Sequence, residues 1–277
     1  MKISRMMFGA ALACAAASVQ ALPVVSLAAG SNPAAIQGTV DAFRASLGAL
    51  NANVAGSFGS GRREINWDGV PNVFAAPNGL PANFFNSNSP RGVEMTTPGS
   101  GFQVSANSGV APVEFGNIDP NYPDLFAPFS SQRLFTALGS NITDVRFFIP
   151  GTATAALTNG FGVVFSDVDL ANTTGIEFFD ALDHSLGQFF APNNPGNETL
   201  SFLGVRFSEG SIVSRARITS GNQLLAPGNT LTDLVVIDDF IYGEPVLAQV
   251  VPEPSMPLTL MLAIAAAVTV RARRSPG

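Results

Sequence analysis

Residues 161–190 read FGVVFSDVDL ANTTGIEFFD ALDHSLGQFF, and the reading of this stretch decides the fold. Residues 161–168 form an apolar run bounded by turn residues, rich in Val and Phe, and predict a central strand. Residues 175–179 and 186–190 are two further short strands. The turn between them, Asp180-Ala181-Leu182-Asp183-His184, makes a hairpin. The same pattern extends outward in both directions. Downstream, strands are expected at 202–207 and 212–218 around Glu209-Gly210, with a closing strand at 234–242. Upstream, a strand at 62–67 ends at Asp68-Gly69, and a hairpin is expected from 92–96 and 101–106 around Pro98-Gly99. Residues 132–136 and 142–149 complete the set, preceded by an irregular Pro-rich loop at 117–130. Short strands at regular intervals with turn signals between them predict an all-β fold. The expected architecture is an antiparallel β-sandwich, jelly-roll-like, over residues 56–243.

One helix precedes the strands, in a segment spanning residues 22–55. Asn32 can cap it and Pro33 suits its first position. Ile36, Val40, Phe43, Leu47 and Leu50 follow at spacings of four, three, four and three, which lines one face of an amphipathic helix. Such a stripe packs a helix on the body of the domain. Residues 244–251 read as a linker.

Both ends carry export features. Lys2 and Arg5 precede an apolar run at 6–17, and Val19-Gln20-Ala21 places small residues where signal cleavage needs them. Residues 1–21 are therefore expected to be a signal peptide cut after Ala21, engaging the Sec export machinery. A lipoprotein reading would use Cys14, but the apolar run before it is short. At the other end stand Val251-Pro252-Glu253-Pro254-Ser255, an apolar run at 258–270, and then Arg271, Arg273 and Arg274. Thirteen residues fall short of the ~20 that span a hydrocarbon core comfortably. The arginines can snorkel to headgroups and hold that end on the cytoplasmic side. The tail, residues 252–277, thus predicts a transmembrane anchor of marginal, transient kind.

This tail resembles the PEP-CTERM sorting signal of exported bacterial proteins. The resemblance implies that Pro252, Glu253 and Pro254 are recognised by a membrane-bound exosortase. That enzyme would remove the anchor, leaving the protein at the cell surface or in the extracellular polysaccharide of a biofilm matrix. Prolines on both sides of Glu253 keep the segment extended, as a processing enzyme requires. The body also resembles a domain type of exported bacterial proteins to which no activity is attached. The resembling stretches are 61–69, 133–151, 161–180 and 236–245.

Composition narrows the partners. Cys14 is the only cysteine, so a mature chain would hold no disulfide and would rest on its own core. Between residues 22 and 251 there are 9 Arg and no Lys against 19 Asp and Glu, a net charge of −10. An acidic surface argues against nucleic acid or anionic membrane as a partner and is compatible with cations. His184, the single histidine, sits in a turn beside Asp183, far from any nucleophile-elbow motif, and one histidine serves neither a catalytic triad nor zinc. No pair of carboxylates stands in a glycosidase context, so no enzyme activity is expected.

Calcium is the cation these residues suit. Asp167, Asp169 and Asp238 are the candidate ligands, supplied by strand ends as a hard cation requires. Strand alternation allows at most one of Asp238 and Asp239 to face inward. The alternatives are pairing with Arg62, Arg63, Arg215 or Arg217, or solvation. Two functional classes follow: a structural or interaction protein of the cell surface, and a carbohydrate-binding module acting on extracellular polysaccharide. For the second, Trp67, Tyr122 and Tyr242 are the only Trp and Tyr residues, and Phe84, Phe85 and Phe126 lie in loop-like stretches.

Overall fold

The computed structural model describes residues 22–208, 210–229 and 233–248. The terminal residues singled out from the sequence, Ala21 and Pro252, Glu253, Pro254, Arg271, Arg273 and Arg274, lie outside the described residues. Among the described residues no helix is long and apolar enough to cross a membrane.

In chain order the body begins with β1 (Pro23–Gly30), α1 (Pro33–Leu47), β2 (Arg62–Ile65), α2 (Phe84–Ser87), β3 (Val93–Thr96) and β4 (Gly101–Val104). It continues with β5 (Phe135–Leu138), β6 (Ile142–Phe147), β7 (Gly160–Ser166), β8 (Gly175–Phe179) and β9 (Ser185–Phe190). It closes with β10 (Leu200–Phe207), β11 (Arg215–Thr219) and β12 (Val236–Gly243). The strands form an all-β fold of two antiparallel sheets. The seven-stranded sheet runs β1-β10-β7-β12-β5-β4, with β2 also pairing β12, and the five-stranded sheet runs β3-β6-β11-β8-β9.

The side-chain period of two explains why β7 is buried along its whole length. Val163 and Phe165 face the core between the sheets with Val205, Phe240, Phe147 and Phe178. Val164, pointing the other way, meets α1 together with Phe202 and Ile241. α1 begins where expected: the Asn32 side chain accepts the Ala35 N–H, and Pro33 opens the helix. Ile36, Val40, Phe43 and Leu47 form its buried face, whereas Leu50 lies beyond the helix and is exposed. Phe43 sits in a notch made by Gly162 and Gly204, which pair across β7 and β10. A Cβ on either glycine would lie 2.7–2.8 Å from the Phe43 ring. A third cluster, including Phe115, Tyr122, Phe126 and Leu134, fastens the 117–130 loop to the start of β12.

One of the two expected hairpins does not form. β3 and β4 are no hairpin: β3 pairs β6, and β4 pairs β5 in the other sheet. The connection crosses between sheets, and Gly99 permits it, since a Cβ there would stand 2.1 Å from the Leu138 carbonyl oxygen. β5 and β6, and likewise β10 and β11, also belong to different sheets. Only β8 and β9 keep the expected hairpin. The residues before α1 form β1, a strand that sequence reasoning missed, at the edge beside β10. The body also continues past 243. Glu244 is buried against Arg63, and Val246 bridges Leu157. All three apolar clusters lie between Ala28 and Tyr242, so a fragment of residues 22–248 holds the entire core.

Candidate functional site

The closing strand carries an irregularity that organises the site. The β12–β7 register shifts between Ile237 and Phe240, leaving Asp238 and Asp239 in a bulge. A bulge breaks the alternation of faces. Both carboxylates are therefore buried, contrary to the expectation that at most one turns inward. Asp238 Oδ2 accepts the backbone N–H groups of Phe129 (2.5 Å) and Ser130 (3.1 Å). The Ser130 hydroxyl lies 3.0 Å from an oxygen of each aspartate. Burial, and then the charge of Asp239, push the Asp238 carboxyl well above the usual carboxylate range. Burial also raises Asp239, against the pull of its hydrogen bond with Asp238 and of Arg44. The two carboxyls therefore do not both carry charge easily, and Asp239 is the one that meets Arg44, at 2.9 Å. Glu64 completes this group, 3.2 Å from Arg44 and 2.6 Å from Arg62.

The same bulge positions Trp67. Its indole N–H donates to the Asp238 carbonyl. The ring stacks on Phe135 at 4.3 Å and meets Phe85 and Phe240 edge-on. Trp67 lines a cavity of about 310 Å³, walled by Phe74, Phe84 and Phe85 and edged by Asn66, Asn88 and Arg91. A second cavity, of about 350 Å³, is polar and includes Gln37, Arg44, Glu64, Ser130 and Asp239. Asn66 and Arg91 line both cavities. An apolar aromatic wall with a few convergent polar groups is the common form of a small-ligand site, and both volumes fall in the usual range of roughly 300–1,000 Å³. Phe84 and Phe85 therefore belong to the site, whereas Phe126 and Tyr122 are buried in the third apolar cluster. Asn66 and Arg91 escaped sequence reasoning, because no motif links them; the fold of the 66–91 connection brings them together.

The candidate calcium ligands are divided. Asp167 follows β7 with a left-handed backbone (φ 72°) and is buried, and its Oδ1 has no hydrogen-bond partner. Burial first, then the charges of Asp169 and Asp233, push its carboxyl up to about 8. Asp233 accepts the Asp169 N–H at 2.7 Å and the Thr173 hydroxyl, while Asp169 accepts the Gly196 N–H at 2.7 Å. Asp233, which sequence reasoning did not single out, is thus bonded to the Asp169 backbone, and its charge acts on Asp167 without the three side chains gathering at one point. Asp238 instead makes its hydrogen bonds with Phe129, Ser130 and Asp239. Among the described residues no three His, Cys, Asp or Glu side chains stand together as a metal-holding group.

Among the described residues, the four arginines considered as partners make no ion pair with Asp167, Asp169 or Asp238. Arg62 meets Glu64, Arg63 meets Glu244, and Arg215 and Arg217 both meet Asp144. His184 is exposed in the β8–β9 turn, with its Nδ1 3.2 Å from Asp180. Compared with protein-family models, curated protein sequences and solved structures, the chain has no significant match in any of the three.

Proposed function

We propose that this chain is an exported interaction protein of the cell surface or extracellular matrix, and that its jelly-roll-like body is a carbohydrate-binding module. The observation that carries the binding reading is the pair of adjoining cavities that share Asn66 and Arg91, one aromatic and one polar. Sugars offer an apolar ring face and a rim of hydroxyls, and this pairing matches both. The sequence features that support export are the signal peptide with cleavage after Ala21 and the tail with Pro252-Glu253-Pro254. An exosortase would process that tail after transient membrane anchoring. No catalytic role is assigned to the Asp238–Asp239 pair, whose hydrogen bonds fasten the 129–130 backbone to β12.

Calcium belongs to this reading as a structural ion at Asp167 and Asp169, with Asp233 beside them. The unpartnered Oδ1 of Asp167 supports it. Carbonyl oxygens and water would complete such a site. The test is binding of the 22–248 fragment to extracellular polysaccharide, with calcium and with chelator. Saturable, sugar-competed binding is expected, weakened in chelator; absence of binding in both conditions overturns the module.

A second reading, a structural role by self-association, has its own support. β1 is an edge strand whose Val24, Val25 and Leu27 are exposed. Unprotected apolar edges pair with other strands. A concentration-dependent mass that Val25→Lys abolishes would favour it; a monomer at all concentrations would remove it.

A further inference from the structure

We infer that Arg91 selects a carboxylate-bearing saccharide, a uronate unit, in the aromatic cavity; this rests on the carbohydrate-binding reading above. The starting point is a charge without a counter-charge. Among the described residues, Arg44, Arg62, Arg63, Arg215 and Arg217 each meet a carboxylate. Arg91 meets none. Its Nη1 donates to the Ser89 hydroxyl, its Nε is buried without a partner, and its guanidinium carbon lies 5.2 Å from the centre of the Phe85 ring. Arg91 lines both cavities. Taking a cation partly out of water without a partner is costly, and an arriving anion recovers that cost. Burial accordingly pulls the Arg91 guanidinium below its ordinary value; Tyr242 opposes this and Arg63 adds to it.

The distribution of acids says which cavity takes the anion. The aromatic cavity has no Asp or Glu in its lining. The polar cavity carries Glu64 and Asp239, which would repel an anion. A carboxylate therefore docks on the aromatic side of Arg91. Its sugar ring then lies near Phe74 and Phe84, with Asn66, Asn88 and Ser89 available for hydroxyl groups. The absence of lysine and the −10 charge between residues 22 and 251 sharpen the point. Among the described residues Arg206 also lines a cavity without an ion pair, but Glu244 shares that lining, whereas Arg91 borders a cavity free of acids that an acidic ligand can use. Arginine is also the side chain whose planar donor array best fits a carboxylate.

The experiment is calorimetric titration of the 22–248 fragment with a panel of uronate oligosaccharides: galacturonate, glucuronate, mannuronate and guluronate. Each is paired with its carboxyl-reduced, neutral counterpart. At least one uronate should bind about tenfold or more tighter than its reduced form, the scale of one charge-assisted hydrogen bond. Arg91→Gln should abolish that preference, and Arg91→Lys should keep part of it. Equal affinity for the charged and reduced members overturns the inference but leaves the carbohydrate module standing. A preference that survives in R91Q overturns the role of Arg91. Binding to no member of either set overturns both. The wild-type comparison needs no variant, so a misfolded R91Q leaves the proposal falsifiable.

Discussion

Arg44 Nη2 lies 2.9 Å from Asp239 Oδ2, so the last turn of α1 is tied to the bulge of the closing strand 195 residues away. The pair stands in the wall of the polar cavity, and it is a support of the site as well as of the fold. Asp239 is 2% exposed and Arg44 19% exposed at the side chain. Removing one partner of a buried pair strands the other, at a cost of about 3–5 kcal/mol in fully buried cases. Arg44 is partly solvated, so Arg44→Met should cost about 2–3 kcal/mol by urea denaturation, below the range for fully buried pairs. Without Arg44 the Asp239 carboxyl titrates still higher, so the loss should be greater at pH 8 than at pH 5. Equal losses at the two pH values would contradict this electrostatic account.

Phe43 and the Gly162–Gly204 pair make a second test. Gly204→Ala puts a methyl group 2.8 Å from the Phe43 ring and should destabilise by about 1–3 kcal/mol. Phe43→Ala should cost about 3–5 kcal/mol. In the double variant the new methyl enters the space that the ring vacates, so its loss should be less than the sum. Strict additivity would mean that the ring and the glycines do not meet.

The pH dependence of stability has a definite sign. The Asp167 carboxyl stands at about 8 in the folded chain, above its unfolded value near 3.8. A group raised on folding contributes stability that is fully present below the unfolded value. That contribution fades as pH rises through the folded value. In chelator the 22–248 fragment should therefore lose stability between about pH 4 and 8. Asp238 and Asp239, also raised, act in the same direction. Asp167→Asn should flatten the slope, and calcium should restore stability at pH 8 in the wild type only. An unchanged slope in D167N, measured by urea midpoints, would contradict the assignment.

How much of this was legible in the sequence depended on whether a signal was local. α1 was legible because a cap, a proline and a stripe of apolar residues lie within one segment. The β8–β9 hairpin was legible because turn and strands are adjacent, and β7 because an apolar run has one plain meaning. Sheet membership was not. The alternation in residues 93–96 and 101–104 is the same whether the two strands pair or cross between sheets. β1 was missed because Pro23–Gly30 shows exposed apolar residues without clean alternation. The inward turn of both Asp238 and Asp239 followed from a bulge, which adjacent residue types do not announce. Arg91 and Asp233 were illegible for a related reason: each gains meaning only from neighbours distant in the chain.

The sorting proposal has its own experiment. Replacing Pro252, Glu253 and Pro254 by alanine should leave the full-length protein in the membrane fraction. Normal release and a normal shortened mass would contradict it.

Trp67 offers the most direct measurement of the central claim. It is the only tryptophan in the chain and it lines the aromatic cavity, so the emission signal comes from one residue in contact with that cavity. Titrating the 22–248 fragment with oligosaccharides from extracellular polysaccharide should give a saturable change in Trp67 emission. Phe74→Ala, which removes part of the aromatic lining, should weaken that response. Saccharide binding that leaves Trp67 emission unchanged, or no saturable binding at all, would contradict a carbohydrate site in these cavities.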